Sequence, residues 1–376
     1  MMPSTVRTVV PFVDLHAQYL TIKAEVDAAI AAVIRESGFV RSRFVEEFEA
    51  AWARTLGVRH CVSCANGTDA LYIAMRALGV KAGDEVITTA HSWIATSETI
   101  TQAGGRVVFC DTEVDTFLID AAQIASKITP RTVGIIPVHL CGQPADMDAI
   151  MALAEKHHLW VIEDCAQAHL ATYKGRLVGT FGSVGAFSFY PSKNLGAMGD
   201  GGCLVTNDER LASWSALFAR HGGKNDHQIE GINSRLDGLQ AAVLSAKLPH
   251  LAGWTSRRQA LATEYSRAIA DLPQVRSPVT RPDRMHVFHL YMVRCEQRDE
   301  LRAHLQRDGI ATVLNYPRAL PFYPAYAYLG RRPEDFPNAS RHQVEILSLP
   351  IYPEMPAAAF QGVVESLHAF YRTRSD

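Results

Sequence analysis

Nowhere in the 376-residue sequence does an apolar run approach the roughly 20 residues that a helix needs to cross a bilayer, so no membrane-spanning helix is expected. The stretch Met1 to Val10 carries one arginine and is soon interrupted by Pro11 and Asp14, so it lacks the apolar core of a secretion signal. An excess of one charge is missing too. The 37 Lys and Arg residues against 39 Asp and Glu leave a net charge of −2 and a pI near 6.7, which offers no electrostatic attraction to nucleic acid or an anionic membrane. Cysteine is scarce, with seven spread along the chain. An odd, dispersed set is no disulfide framework, and a cytoplasmic location is expected. Also absent is a G-x-G-x-x-G run after a first strand, the mark of a dinucleotide-binding oxidoreductase; the glycines between 179 and 185 have the wrong spacing.

What is present is an ordinary globular composition, 48% hydrophobic and 20% charged, enough to bury a sizeable core. From about residue 59 short apolar runs alternate with amphipathic stretches. Strands are expected at 59–65, 85–90, 106–111, 132–139 and 159–164, with helices at 66–78 and 146–157 and Gly79 as a stop. This pattern predicts an α/β fold whose central, mostly parallel sheet is covered by helices. Gly-rich strand pieces follow at 184–190 and 203–206, then a long amphipathic region from about 237 to 270. Beyond it come an aromatic-rich strand at 286–293, a helix at 299–308, a strand at 310–315 and a terminal helix at 357–371. Residues 1–250 are read as a large domain and 251–376 as a smaller C-terminal α/β domain.

In open α/β sheets, ligands bind beyond the carboxyl ends of the strands. The polar clusters at 66–68, 91–93, 164–167 and 188–193 stand at such ends. Asp164 closes an apolar strand, where a carboxylate needs a partner. It is either a cap or structural ion pair, or the partner of a cationic ring nitrogen. In the second role, a carboxylate about 4 Å away contributes roughly 4 kcal/mol at an effective dielectric near 20, or about three pKa units. Lysines are usually solvated, as the turn-like surroundings of Lys174 suggest. Lys193 differs, following an apolar strand and preceding a Gly-rich loop, where desolvation would free its amine to form an imine. Asn66, Gly67 and Thr68 lie where a strand turns into a helix, and read either as ordinary capping or as an anion site to which Ser188 adds a hydroxyl. Trp93 is either core or a stacking platform for a planar ring. Cys61 and Cys64 have ligand-like spacing, but alternate faces of a strand and the lack of a second pair make them core cysteines.

Taken with the blocks Asn66-Gly67-Thr68-Asp69-Ala70-Leu71, Gly83-Asp84-Glu85-Val86-Ile87, Glu163-Asp164-Cys165-Ala166-Gln167, Ser188-Phe189-Tyr190-Pro191-Ser192-Lys193-Asn194 and Asn233-Ser234-Arg235-Leu236-Asp237, the chain resembles the DegT/DnrJ/EryC1/StrS sugar aminotransferases. These form a branch of the fold-type-I enzymes dependent on pyridoxal 5'-phosphate (PLP). The resemblance runs nearly end to end. It implies Lys193 as the imine-forming residue and proton shuttle, Asp164 at the pyridinium nitrogen, and Gly67, Thr68 and Ser188 at the phosphate. It further implies Trp93 against the ring, Gln167 near the phenolic oxygen, and Asn233 reaching the phosphate from the neighbouring subunit of a homodimer with shared sites. The implied reaction is ping-pong: glutamate gives its amino group, pyridoxamine 5'-phosphate carries it, and the keto group of a nucleotide-linked sugar receives it.

Asp200, in Gly199-Asp200-Gly201-Gly202, resembles members that aminate C3; many that aminate C4 carry Glu there. Arg235 and Tyr316 are expected at the sugar or its nucleotide phosphates. The sequence departs from its relatives at Leu170, often Gly, at Cys141, often Tyr or Phe, and at Asn315, often His. A sugar dehydratase shares the fold, but such members typically replace the lysine with histidine. A regulatory protein is the third reading, without an added helix-turn-helix or basic arm to support it.

Overall fold

The computed structural model describes residues 9–372; the stretch read above as lacking a secretion signal falls, up to residue 8, outside them. Apolar runs form a seven-stranded sheet: β1 (His60–Cys64), β2 (Glu85–Thr89), β3 (Arg106–Cys110), β4 (Thr132–Ile136), β5 (Trp160–Asp164), β6 (Val184–Ser188) and β7 (Gly202–Thr206). Their order is β1-β7-β6-β5-β4-β2-β3. β2, β3, β4, β5 and β6 run parallel, and β7 is antiparallel to both of its neighbours. Every residue of β2, β6 and β7 is buried, as expected of strands covered on both faces.

Helix α1 (Gly67–Ala77) starts where the Asn66 side chain accepts the Asp69 N–H at 2.8 Å and stops before Gly79, which takes φ 78°. Helix α2 (Ala95–Gln102), which the sequence pattern did not reveal, follows β2, and α3 (Met147–His157) precedes β5. The amphipathic region expected at 237–270 is two helices, α4 (Gly238–Lys247) and α5 (Leu251–Ala268), joined by a short 3-10 turn. A smaller antiparallel sheet follows, with β8 (Val275–Arg276) and β10 (Ile346–Leu349) flanking β9 (Tyr291–Cys295). The final helix, α6 (Ala357–Arg372), joins its core through Val363, Leu367 and Phe370. Residues 319–339 return to the larger sheet, burying Leu320, Tyr326 and Phe336 among its apolar residues.

Two expected strands differ. The strand read at 286–293 begins only at Tyr291, because the preceding backbone pairs with loops: Val287 N–H donates to Gly142 at 3.0 Å and Val287 carbonyl accepts from Asn194 Nδ2 at 3.0 Å. The strand read at 310–315 makes only single bridges, Ile310 to Val10 and Val313 to Ser348. Switching partners within four residues prevents a continuous ladder.

Candidate active site

The carboxyl ends of β2, β5 and β6 open into a cleft of about 940 Å³, whose lining includes Gly67, Thr68, Trp93, Asp164, Gln167, Ser188, Lys193 and Tyr316. Eight of the ten expected site residues are thus brought together. The other two are not. Asn233 is exposed and Arg235 half-buried, and neither lines this cleft. Ser234 between them donates to Asp69 at 2.5 Å and accepts the Ala65 N–H at 3.0 Å, so this segment lies beside the start of α1.

Lys193 is half-buried. Burial lowers its pKa to about 8, against the opposing pull of Asp164 and Cys141. An appreciable fraction of the amine is therefore neutral near physiological pH. Asp164 is 5% exposed, and burial raises its pKa even though Thr96 donates to one oxygen at 2.8 Å and the Ala166 N–H to the other at 3.1 Å. Thr96 is itself within 3.1 Å of Ser92, so a hydroxyl pair orients the carboxylate. Without a bound cation this carboxylate costs free energy; a cationic ring nitrogen would relieve that cost.

At the other end, the Asn66 side chain caps only Asp69. Gly67 and Thr68 line the cleft with their N–H groups uncapped among the described residues, at the positive end of an 11-residue helix. The capping reading holds for Asn66, and it leaves the neighbouring Gly67 and Thr68 N–H groups to the anion reading. A Cβ on Gly67 would lie 2.6 Å from Ser188 Cβ and 3.1 Å from its Cα, so glycine is what allows α1 to approach β6. Gly67→Ala is expected to cost about 1–3 kcal/mol by forcing the two apart. The measurements are chemical denaturation of the apo-protein and phosphate-ester affinity, and both should fall; unchanged affinity would remove the cup from its proposed role.

Gln167 ties both walls of the cleft: its Oε1 accepts the Cys141 N–H at 2.6 Å and its Nε2 donates to the Tyr316 hydroxyl at 2.9 Å. Tyr316 packs near the exposed Trp93, ring centroids 5.5 Å apart, and its N–H donates to His91 Nε2 at 3.0 Å. Burial takes His91 down to about 4, so the ring is neutral and able to accept. Among the departures, Asn315 lines the cleft, whereas Leu170 and Cys141 pack into core clusters. Leu170 sits at φ 65°, the left-handed region that glycine adopts most easily.

Beneath the floor, Glu163 is fully buried and accepts the N–H groups of Gly179, Phe181 and Gly182 at 2.7–2.8 Å. His139 Nδ1 accepts from Ala145 at 3.0 Å, which leaves Nε2 to donate to Glu163 at 3.2 Å. Cys165 lies with this pair, but the His and Glu acceptors are already engaged by protons. Cys61 and Cys64 are free thiols in β1.

The family model for the DegT/DnrJ/EryC1/StrS aminotransferase family matches residues 20–368. The chain belongs to this family. A Geobacillus stearothermophilus relative named a pleiotropic regulatory protein is 46% identical over 96% of this chain and 99% of its own length. A Streptomyces venezuelae relative named a dTDP-3-amino-3,4,6-trideoxy-alpha-D-glucose transaminase is 44% identical, covering 95% of each chain. The solved structure of S. venezuelae DesV, in complex with a ketimine intermediate, superposes with a TM-score of 0.94 at 44% identity, over 96% of this chain and 98% of that one. The protein is therefore an aminotransferase of the fold-type-I class, and the family implies PLP. The residues present fit that group: a buried carboxylate in want of a cation, a desolvated lysine, and an uncapped helix start made accessible by Gly67.

Sequence reading missed Thr96, Arg258 and His289, which also line the cleft, and Asn194, whose side chain faces His289 Nδ1 at 3.2 Å. Thr96 and Asn194 stood within three residues of Trp93 and Lys193. Nothing local marks Arg258 or His289, which enter from distant chain segments.

Proposed function

We propose that this protein transfers an amino group from glutamate to the keto carbon, C3 in preference to C4, of a nucleotide-linked sugar. The observation that carries the reading is the convergence of Lys193, Asp164, Ser188 and the uncapped N–H groups of Gly67 and Thr68 on one cleft. Its substrate side rests on the resemblance to a transaminase named for a 3-amino sugar nucleotide. Asp200, exposed at the cleft, stands where C4-aminating relatives often have Glu.

PLP, when bound, supplies an electron sink that acidifies the carbon carrying the transferred nitrogen, and carries that nitrogen as its pyridoxamine form. Lys193 would hold the cofactor at rest. Once released, its amine would take the proton from the donor's α-carbon and return one to the carbon that receives the amino group. Asp164 would keep the ring nitrogen protonated, Gly67, Thr68 and Ser188 would neutralise the phosphate, and Trp93 and Gln167 would fix the ring plane and phenolic oxygen. Asn233 would complete the phosphate site of a neighbouring subunit in a homodimer, and Arg235 and Tyr316 would meet the sugar nucleotide. In this reading residues 1–250 are the large cofactor-binding domain and 251–376 the small C-terminal domain.

The deciding experiment loads the protein as the pyridoxamine form and offers dTDP- and UDP-linked 3-keto and 4-keto sugars, following the amino-sugar product by mass spectrometry. Conversion of 3-keto sugars is expected. Conversion of 4-keto sugars alone would overturn the C3 preference. If no keto sugar reacts, the substrate class is wrong.

A further inference from the structure

We propose that Glu354 is a positioning residue: its buried carboxylate, set between Lys247 and Arg258, keeps the loop of Lys193 and the facing wall of the cleft in register. The inference rests on the role of Lys193 proposed above. The loop that carries Lys193 is pinned from behind by one helix. Gln240 and Lys247 stand seven residues apart in α4 and so share a face. Gln240 Oε1 accepts the Met198 N–H at 2.8 Å, and Lys247 Nζ donates to the Gly196 carbonyl at 2.8 Å. Gly196 is three residues beyond Lys193, and it packs so closely on Pro191 that a Cβ would strike the Pro191 carbonyl. A shift of Gly196 therefore carries Lys193 with it.

The facing wall is pinned by Arg258 in α5. Its Nη1 donates to the carbonyls of Ile351 at 2.8 Å, Phe288 at 3.3 Å and His289 at 3.4 Å, and Ile351 and His289 line the cleft. Lys247 and Arg258 are each 4% exposed. They stand on either side of the 3-10 turn Leu248–His250 that joins α4 to α5, where the two proposed domains meet. Two buried cations are costly without an anion to offset them.

Glu354 is placed to be that anion. Both of its carboxylate oxygens are buried without a hydrogen-bond partner among the described residues, and so is Arg258 Nε. Burial pulls Lys247 down to about 8 and Arg258 to about 10, and the Glu354 charge opposes the fall in both. Burial raises the pKa of Glu354 itself; Arg258 and Gln18 oppose that rise, and Asp14 adds to it. The carboxylate thus acts through space on two cations, one holding each wall. Without it Lys247 gives up its proton more readily, and a neutral amine is a weaker donor to the Gly196 carbonyl.

The test follows covalent loading of PLP onto the full apo-chain at pH 7, per folded molecule, across a range of PLP concentrations. Glu354→Gln, similar in shape but uncharged, is expected to lower the limiting rate of imine formation about tenfold, as a misplaced amine should. Half-saturating PLP should stay within about twofold of the parent, because the phosphate cup is untouched. Glu354→Asp, which restores the charge, should load within about threefold of the parent. Lys247→Met should also lose about tenfold, and the double variant about tenfold instead of about a hundredfold, because both act along one route. A limiting rate unchanged in Glu354→Gln, an aspartate variant as slow as the glutamine one, or a hundredfold loss in the double variant would each overturn the proposal. Should Lys247→Met not fold, the Glu354 pair decides alone. Borohydride reduction of the parent separates the two readings. An adduct away from Lys193 sinks the lysine assignment, whereas an adduct on Lys193 with normal loading of Glu354→Gln sinks only this inference.

Discussion

Lys193→Ala is expected to lower transamination by about four orders of magnitude, because in the proposed mechanism it removes both the imine-forming amine and the proton shuttle. Lys193→Arg should do nearly as badly despite keeping the charge, since a guanidinium does not deprotonate. The fold should survive Lys193→Ala: burial disfavours the charged lysine, so its removal takes away a cost and the apo-protein should melt no lower. Lys193→Arg keeps that cost. The pH dependence has a definite sign. The neutral amine is the nucleophile, and burial brings its pKa to about 8. Covalent loading of PLP onto apo-protein should therefore speed up about tenfold per pH unit below that value and level off above it. Borohydride reduction and peptide mapping should place the adduct on Lys193. An adduct on another lysine, or a loading rate flat with pH, would sink the assignment.

Those site residues that were legible in the sequence share one physical circumstance. Gly67, Asp164, Ser188 and Lys193 each follow or end an apolar strand, and a polar group interrupting a buried run stands out because burial without a partner is costly. The same logic located the larger sheet, whose covered strands read as continuous apolar runs. Arg258 had no such contrast. It sits beside Arg257 in one amphipathic helix, and the two read alike, yet the Arg257 side chain is 42% exposed while Arg258 is buried. Only packing of residues 286–290 and 351 against α5 separates them. The misread strand at 310–315 failed for a related reason. Its apolar alternation is real, but the partners that satisfy its backbone come from Val10 and Ser348, segments more than 30 residues away in sequence. Asn233 and Arg235 were legible only through the family blocks, and a single chain leaves both outside its own cleft.

Asp164→Asn is expected to separate catalysis from stability in opposite directions. The substitution keeps the shape, and the local hydrogen bonds can adapt. The amide oxygen can still accept the Ala166 N–H, while the Thr96 hydroxyl turns to accept from the new amide and donates to Ser92, already 3.1 Å away. What disappears is the charge. At about 4 Å and an effective dielectric near 20, a carboxylate favours a protonated ring nitrogen by roughly 4 kcal/mol. At 1.36 kcal/mol per tenfold, its loss should slow transamination by about three orders of magnitude. Stability should move the other way. Burial raises the folded-state pKa of Asp164 above its ordinary value, so the folded chain holds that proton more tightly than the unfolded one. The resulting stabilisation is complete below the ordinary carboxylate range and is lost as pH rises through the raised folded-state value. At neutral pH the parent apo-protein therefore bears the cost of a buried carboxylate that the asparagine variant escapes. Its apo form should melt higher than the parent at pH 7, with the gap closing below about pH 4, where the parent is protonated in both states. Binding of PLP should narrow the gap at pH 7, because the cationic ring nitrogen compensates the carboxylate only in the parent. An apo-variant that melts lower at pH 7 while retaining full turnover would show that Asp164 is a structural cap after all.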